Sequence, residues 1–418
     1  MHIPATNRGA KGGLNISVAA TKLAAATGGA VTLAVLATLL MAARPAQAAA
    51  KETIIYSFNC PSDGCNSSGV VVDAEGNMYG TAAQGGANDS GTVFKITPSG
   101  TFSTLYNFCS ESGCADGQDP YGGVILDSEG NLYGTTVYGG ASADDGTVFK
   151  VTPSGKETVL HEFAGSDGAF AFGGLVFDSE GNLYGTTSEG GTNNGGTVFK
   201  ITSSGTFSTL YNFCSETNCT DGEYPNSGLA VDSAGNVYGT TYNGGANTLG
   251  VVFKVSSSGK ETVLHSFVAN GEDGMYPEAG VVLNGTELHG TTSLGGKDGV
   301  GTVFAVTTSG TESILYSFAA GVHGVFPYAG LVLDKKGNLY GTTEYGGSSD
   351  EGMAFKVTPK GAETVLHSFA HNGTDGYFPS FSSLAINKSG DLYGTTSEGG
   401  DGTGCGLYGC GEVFRIVP

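Results

Sequence analysis

The stretch GGVILDSEGNLYGTTVYGGASADDGTVFKVTPSGKETVLHEF, residues 122–163, is one copy of a motif that occurs seven times in this chain of 418 residues. The tripeptide Tyr-Gly-Thr marks the centre of each copy, with His in place of Tyr in the fifth. The copies are centred on Tyr79, Tyr133, Tyr184, Tyr238, His289, Tyr340 and Tyr393. Their spacings of 54, 51, 54, 51, 51 and 53 residues are typical of a repeat architecture.

Each copy contains four segments with the pattern of short β-strands. In the quoted copy, strand a is the apolar run 124–126, strand b is 132–136, strand c is 147–152 and strand d is 157–163. A run that is apolar at every position is predicted to be buried on both faces. In the fifth copy, Asn284-Gly285 separates strands a and b, which indicates a tight antiparallel hairpin.

The two ends of the repeat region predict a closed ring. Residues 52–58, before the first copy, have the strand d pattern, whereas the last copy ends on strand c at 412–417. Pairing these two segments completes a blade and removes the open edges. Four antiparallel strands at this period are typical of a propeller blade. The sequence therefore predicts an all-β, seven-bladed β-propeller over residues 49–418, with the N-terminal strand completing the last blade.

The repeat has a specific consensus. The run NLYGTT-x₂-GG-x₄₋₅-GTVFK-[VI]-T-x-SG begins at residue 131, and residues 182–205 read NLYGTTSEGGTNNGGTVFKITSSG. On these residues the chain resembles the GloVer tandem-repeat family of secreted or surface-anchored bacterial proteins. The resemblance covers nearly all of residues 52–418 and implies export and a repeat fold, but no particular activity. Family members often carry a C-terminal anchoring signal, whereas this sequence stops at Pro418. We therefore expect a secreted or periplasmic protein without covalent surface anchoring.

The first 48 residues have the order of a secretory signal. Arg8, Lys11 and Lys22 precede an apolar run, and Ala46-Gln47-Ala48 follows it. This order predicts a signal peptide cleaved after Ala48. The alternative is an uncleaved anchor helix, although the apolar run is short for a membrane span of about 20 residues. We expect no stable membrane insertion after cleavage.

The eight cysteines form four pairs that each enclose four residues. The pairs are Cys60/Cys65, Cys109/Cys114, Cys214/Cys219 and Cys405/Cys410. An even count with one repeated spacing behind a signal sequence favours local disulfides. The alternative is metal binding, but zinc sites prefer a two-residue spacing and a second ligand pair nearby. No metal site and no cofactor is predicted.

The charge of the chain restricts its partners. Acidic residues outnumber basic ones 39 to 18, which gives a formal net charge of −21. Nucleic acids and anionic membranes are therefore poor partners, because they require clustered Lys and Arg. We expect a monomer.

The long, variable connections of the predicted propeller lie at one end, where strands b lead to strands c and strands d lead to the next strand a. Function on such scaffolds concentrates in long loops. The d–a loops carry Asp-Gly, followed in most copies by an aromatic residue and Pro, and His323 replaces the Asp in one copy. The candidate ligand-binding residues are Tyr121, Phe172, Tyr224, Tyr276, Phe326, Tyr328, Phe378 and His323.

Two interpretations of these loops remain open. Aromatic faces beside carboxylates suit stacking on sugar rings at the mouth of the central channel. Alternatively, Asp-Gly forms a turn and the aromatic ring packs between blades. The histidines His161, His265 and His367 occupy a strand d position that is Tyr in the other copies, so they are predicted to be packing residues.

Three functions are compatible with the sequence: a binding or scaffold module for a glycan or a protein, a lyase or hydrolase of extracellular polysaccharide, and a structural protein of the cell envelope. An enzyme needs residues that break the repeat symmetry. Such residues are His323, Glu278, Asp119 and Glu223, which form no recognisable catalytic set. The near-identity of the copies favours binding or structure over catalysis, and no catalytic residue is predicted.

Overall fold

The computed structural model describes residues 50–418, except for residues 142, 374, 380–382, 403 and 406–408. This part of the chain forms seven sheets of four antiparallel strands. The sheets are arranged in a ring, so the protein is a seven-bladed β-propeller, as predicted. The predicted signal peptide, residues 1–48, lies outside the described residues.

We name the strands of each blade a to d in the order in which they pair. Blades 1 to 3 consist of Cys65–Val72, Met78–Gln84, Thr92–Ile96 and Phe102–Asn107; Val124–Leu126, Leu132–Thr136, Thr147–Val151 and Glu157–Glu162; and Val176–Phe177, Leu183–Thr187, Thr197–Ile201 and Phe207–Asn212. Blades 4 to 6 consist of Ala230–Val231, Val237–Thr241, Val251–Val255 and Glu261–Ser266; Val282–Asn284, Glu287–Thr292, Thr302–Thr307 and Glu312–Ser317; and Val332–Leu333, Leu339–Thr343, Met353–Val357 and Glu363–Ser368. Blade 7 consists of Ala385–Ile386, Leu392–Thr395, Glu412–Val417 and, as strand d, Lys51–Ser57. Two ribbons pair Gly274–Met275 with Leu294–Gly295 and Gly376–Tyr377 with Glu398–Gly399, and single-turn 3₁₀ helices lie at Ser112–Cys114 and Thr217–Cys219.

The N-terminal strand closes the ring. Lys51–Ser57 pairs antiparallel with Glu412–Val417, from Lys51 opposite Val417 to Ser57 opposite Glu412. Strand a of blade 7 contacts strand a of blade 1 on the other side of the same junction. The predicted completion of the last blade by the first strand is therefore confirmed.

The hydrophobic core lies between blades. Phe149 of blade 2 is fully buried against Phe108 of blade 1, with ring centroids 4.9 Å apart. The junction of blades 7 and 1 is built in the same way around Phe58 and Phe94. Strand a contributes to two neighbouring cores, because Val124 packs toward blade 1 and the partly buried Ile125 packs toward blade 3. Each blade is thus held mainly by its neighbours.

The Tyr-Gly-Thr tripeptide has a structural explanation. Gly134 of strand b faces Phe149 of strand c, and a Cβ atom at Gly134 would lie 2.6 Å from the ring carbon Cζ. The hydroxyl of Tyr133 donates to Asp127 over 3.1 Å, and Lys150 lies over the Tyr133 ring. The repeat therefore preserves a packing unit at the end of the propeller with short turns.

The short a–b turn is organised by its Asp residue. Asp127 Oδ1 accepts hydrogen bonds from the backbone N–H groups of Glu129 and Asn131, at 2.8 and 2.9 Å. Its Oδ2 accepts a bond from the side-chain amide of Asn131 at 2.8 Å. These bonds hold the pKa of Asp127 below its ordinary value despite partial burial, which opposes them. The carboxylate is therefore used by the turn itself.

The four predicted disulfides are formed. They join Cys60 to Cys65, Cys109 to Cys114, Cys214 to Cys219 and Cys405 to Cys410. The first three lie in d–a loops and the fourth lies in the b–c loop of blade 7, so all four stabilise loops at the same end. Within the described residues, we find no helix that is long and apolar enough to span a membrane.

Candidate functional site

The Asp residues of the Asp-Gly pairs bond to rings on strand d of their own blade. A Tyr hydroxyl or a His Nε2 reaches one carboxylate oxygen in six blades. The pairs are Tyr56–Asp63, Tyr106–Asp116, His161–Asp167, Tyr211–Asp221, His265–Asp273 and His367–Asp375. Both ring types present a polar atom at their far end, which explains why this strand position accepts either. These carboxylates stabilise the loops and do not line the central channel.

The aromatic residues that precede Pro link adjacent blades through their backbone. Tyr224, for example, has a left-handed φ of 58°. Its N–H donates to Gly195 O in the b–c loop of blade 3, and its carbonyl accepts from Tyr242 N in the b–c loop of blade 4, both at 3.0 Å. The candidates in this position are Tyr224, Tyr276, Phe326 and Phe378, and all four have φ between 55° and 58°.

The side chains at this position pack on aromatic residues of the b–c loops. The ring of Tyr276 lies 5.2 Å from that of Tyr242, and the ring of Phe378 lies 5.1 Å from that of Tyr345. None of the four candidates lines either of the two cavities at the mouth of the central channel. Tyr276, Phe326 and Phe378 thus contact rings of the b–c loops, and the residues that line the cavities come two residues later in the loop.

That later position forms the mouth of the central channel. We call its described members the mouth residues: Tyr121, Phe172, Asn226, Glu278 and Tyr328. Two adjoining cavities of about 340 and 540 Å³ share all five residues. Tyr121, Phe172 and Tyr328 thus lie where the sequence placed them. Asn226 had not been predicted, and Glu278 had been considered only as a residue that breaks the symmetry.

One side of the mouth is aromatic. Tyr121 and Phe172 are each 39% exposed, whereas the Phe rings of strands c are completely buried. Their ring centroids are 5.9 Å apart with planes inclined at 51°. Two exposed adjacent rings offer an apolar surface at the channel entrance, together with one phenol hydroxyl.

Polar atoms flank this aromatic pair on both sides, in blade 1 and in blade 4. Asn226 Oδ1 and Ser67 Oγ are buried and have no hydrogen-bond partner among the described residues. Both residues line the larger cavity. Because buried polar atoms in native proteins nearly always have partners, these two atoms are available to water or to a polar ligand.

Glu278 is the titratable mouth residue with the most unusual environment. Burial raises the pKa of its carboxyl to about 7, a bond with the Ser293 hydroxyl opposes the rise, and the nearby Glu344 adds to it. At neutral pH this side chain therefore exists in both protonation states and can donate or accept a hydrogen bond.

The other symmetry-breaking residues lie outside the mouth. His323 is exposed, and its Nδ1 lies 3.3 Å from Oε2 of Glu363, on strand d of blade 6. Asp119 occupies the left-handed position, where its carbonyl accepts from Val137 N at 3.1 Å. Glu223 pairs through its backbone with Asn243. Of the four, only Glu278 lines the channel cavities.

The first residue of strand d brings further carboxyl groups between blades. This residue is Glu in blades 2, 4, 5 and 6 and Phe in blades 1 and 3, and the equivalent position in blade 7 is Glu52. Glu261 of blade 4 lies near Asp221 and Glu216 of the preceding d–a loop, and Glu157 of blade 2 lies near Asp116 and Glu111. Burial first, and these acids second, raise the pKa of Glu261 to about 8 and that of Glu157 to about 7.

The raised pKa values of Glu157 and Glu261 predict that the free energy of unfolding depends on pH. A pKa above the ordinary value of 4.5 means that the folded state favours the protonated carboxyl. The stabilisation is complete below pH 4.5 and is lost as the pH rises through 7 to 8. We expect the unfolding free energy of the Glu157→Gln/Glu261→Gln variant to fall about 2 kcal/mol less than that of the native chain between pH 5 and pH 8, after discounting for solvent screening.

Urea titrations at pH 5, 6.5 and 8 measure this difference. Glu180→Gln, at an exposed turn position, is the matched control and should reproduce the native pH profile. Equal pH profiles for the native chain and the double variant would contradict the proposed cause.

The family of the chain follows from a profile comparison. A profile described as the Gloeobacter/Verrucomicrobia repeat matches residues 42–230 and 214–414. The matches cover most of the propeller, and the chain belongs to this family of tandem-repeat proteins. No curated protein matches the chain.

Solved structures share the fold at low sequence identity. The extracellular domain of a one-component system protein from B. thetaiotaomicron has a TM-score of 0.52 and 10% identity, over 88% of this chain and 40% of that chain. PorZ, a surface component of the type-IX secretion system of Porphyromonas gingivalis, has a TM-score of 0.51 and 14% identity, over 86% of this chain and 47% of that chain. The present chain thus spans less than half of either protein, and the likeness concerns the fold alone.

Proposed function

We propose that the protein is an exported binding propeller whose mouth residues hold a sugar unit of a glycan. Tyr121 and Phe172 stack on the apolar face of the sugar ring, while Asn226 and Glu278 bond its hydroxyls. The observation that carries the proposal is an exposed aromatic pair flanked by unpartnered polar atoms within one cavity of about 540 Å³. A sugar combines an apolar ring face with hydroxyl groups in this same way.

The dimensions of the mouth support this function. Small-ligand sites usually enclose roughly 300–1,000 Å³, with a largely apolar lining and a few placed polar groups. The two mouth cavities fall in that range. The acidic net charge of −21 favours a neutral or cationic glycan over a polyanionic one.

Export is part of the proposal. Residues 1–48 have the order of a cleaved signal peptide. The four disulfides require an oxidising compartment such as the periplasm or the cell exterior to form and persist. A secreted or periplasmic location is consistent with both observations.

A glycan-array screen of the purified protein, followed by calorimetric titration of each hit, tests the binding role. We expect Tyr121→Ala/Phe172→Ala to weaken binding at least tenfold, because both stacking surfaces are removed. Tyr224→Ala/Tyr276→Ala is the matched control, since these rings do not line the cavities, and it should bind like the native chain.

Circular dichroism of each variant verifies the fold. A double mouth variant that binds glycan as tightly as the native chain would refute the site. Failure of the native chain to bind any glycan would refute the sugar ligand and leave a protein partner or a structural role in the cell envelope.

A second function, hydrolysis or elimination on a bound polysaccharide, is favoured by one observation. A carboxyl group with a pKa of about 7 has the property required of a general acid or base near neutral pH, and Glu278 lies in the mouth. Product release from an array hit that is abolished by Glu278→Gln, with binding retained, would establish this function. Binding without turnover by the native chain would exclude it for that glycan.

A further inference from the structure

Three potential metal ligands meet at the junction of blades 6 and 7. Glu52 lies on strand d of blade 7, His367 lies on strand d of blade 6, and Asp375 lies in the d–a loop after it. Donor atoms of these three side chains are all within 4.8 Å of one another. The His367 Nε2 is 3.2 Å from Asp375 Oδ2. Small shifts of these side chains would bring all three donor atoms to about 2.1 Å from a single ion.

A third carboxylate is buried beside this group. Glu412, the first residue of strand c in blade 7, is completely buried. Its Oε1 accepts a bond from Gly376 N at 2.8 Å, while Oε2 is buried and has no partner among the described residues. A Cβ atom on Gly376 would lie 2.8 Å from the Glu412 carboxyl carbon, so this carboxyl lies directly against the residue that follows Asp375.

The local charge is not balanced by protein cations. The carboxylates of Glu52 and Asp375 come together here, and the Glu412 carboxyl bonds to the backbone N–H of Gly376, the residue after Asp375. Among the described residues, Arg takes part in one ion pair, Arg415–Asp391. The ion pair described at this junction is the one between His367 and Asp375. Buried carboxylates are normally paired or bound to a metal ion.

We propose that Glu52, His367, Asp375 and Glu412 form a binding site for one divalent transition-metal cation of the Zn²⁺ class. One imidazole and three carboxylates suit such an ion, whereas Ca²⁺ takes oxygen ligands only. The ligands come from the first strand of the propeller, from its last strand and from blade 6. The bound ion would therefore stabilise the closed ring. No metal site was predicted from the sequence, because Glu52 and Glu412 approach His367 and Asp375 only in the closed ring.

Other blade junctions contain incomplete versions of this site. At the junction of blades 4 and 5, His265, Asp273 and Glu312 are equally close, but Thr302 occupies the position of Glu412. At the junction of blades 2 and 3, the position of Glu52 is Phe207, whose ring stacks on His161 at 3.5 Å. The chain thus supplies replacements that the fold already accepts at each ligand position.

Calorimetric titration of Zn²⁺ into the EDTA-treated, buffer-exchanged protein at pH 7 tests the proposal. We expect one high-affinity ion per chain and a rise of about 3 °C or more in the thermal midpoint at saturating Zn²⁺. His367→Tyr and Glu412→Thr should each weaken this binding at least tenfold and remove the thermal shift. His161→Tyr, a control in the same ring position of blade 2, should leave both unchanged.

The ligand-field absorption of bound Co²⁺ provides a second measurement. We expect a visible spectrum that changes in Glu412→Thr, while circular dichroism shows that the variant is folded. The proposal is overturned if the native chain binds no Zn²⁺, if both junction variants bind it like the native chain, or if His265→Tyr rather than His367→Tyr removes the high-affinity ion.

Discussion

A chain shortened to begin at Phe58 is expected to lose most of its folding stability. The deletion removes strand Lys51–Ser57 and leaves Glu412–Val417 as an unpaired edge. It also removes Ile55 and Tyr56 from the core between blades 7 and 1. Pairing along this strand and the apolar contacts together contribute about 5 kcal/mol or more, at roughly 1 kcal/mol per hydrogen bond. A single-domain protein has only about 5–15 kcal/mol in total.

Thermal unfolding of the shortened chain, compared with that of the full chain, measures this effect. We expect a thermal midpoint at least 10 °C lower, because the open edge also promotes association between molecules. A synthetic peptide of residues 50–58 added in excess should restore much of the loss by adding a strand to the edge. A scrambled peptide of the same composition is the control.

The peptide experiment distinguishes a specific loss of ring closure from a general loss of folding. If the shortened chain unfolds at the native temperature, the N-terminal strand is not required for closure. If the native and scrambled peptides act equally, the pairing with Glu412–Val417 does not explain the loss.

The fold was predictable because its signals are local and occur seven times. Apolar runs, turn residues and the Asn284-Gly285 hairpin are properties of adjacent residues, and seven copies average out the ambiguity of any single strand. Strand a of blade 2 was predicted with the bounds observed, Val124–Leu126. Closure of the ring was predicted by counting strands, because the last copy lacked a strand d and the N-terminal segment supplied an extra one.

The site was predictable only to the level of the loop. Tyr121 follows Pro and lines the mouth, whereas Tyr224 occupies the left-handed position before Pro and does not line it. Spacing along the chain does not reveal that difference. Aligning the seven loops would have shown one signal, because Asn226 and Glu278 occupy the same position as Tyr121.

Contacts between residues of distant copies could not be predicted from the sequence. The pairing of Asp-Gly carboxylates with Tyr or His rings was detectable, since both residues recur together in six of the seven copies. The approach of Glu412 to Glu52 and Asp375 was not detectable, because it depends on the ring being closed. Sequence patterns describe each blade, whereas these clusters belong to the junctions.

A single added methyl group is expected to have a large effect at Gly290, the Gly of the His-Gly-Thr tripeptide in blade 5. A Cβ on Gly290 would lie 2.5 Å from Cζ and 2.9 Å from Cε1 of Phe304, and its third neighbour is a Val281 methyl at 3.2 Å. Phe304 is completely buried between blades and cannot move away. We expect Gly290→Ala to destabilise the protein by about 2–3 kcal/mol, in the range of overpacked cores.

Urea unfolding of a double-mutant cycle tests the cause. Phe304→Leu alone should cost about 1–2 kcal/mol, but the double variant should be at least 1 kcal/mol more stable than the sum of both losses predicts, because the smaller side chain makes room for the methyl group. Gly228→Ala is the matched control, since its Cβ would lie 3.7 Å from the nearest atom, and it should change stability by less than about 0.5 kcal/mol. Additive losses in the cycle would show that Gly290 is required for a reason other than the ring of Phe304. The recurrence of Gly-Thr opposite a strand c Phe would then need another explanation in all seven blades.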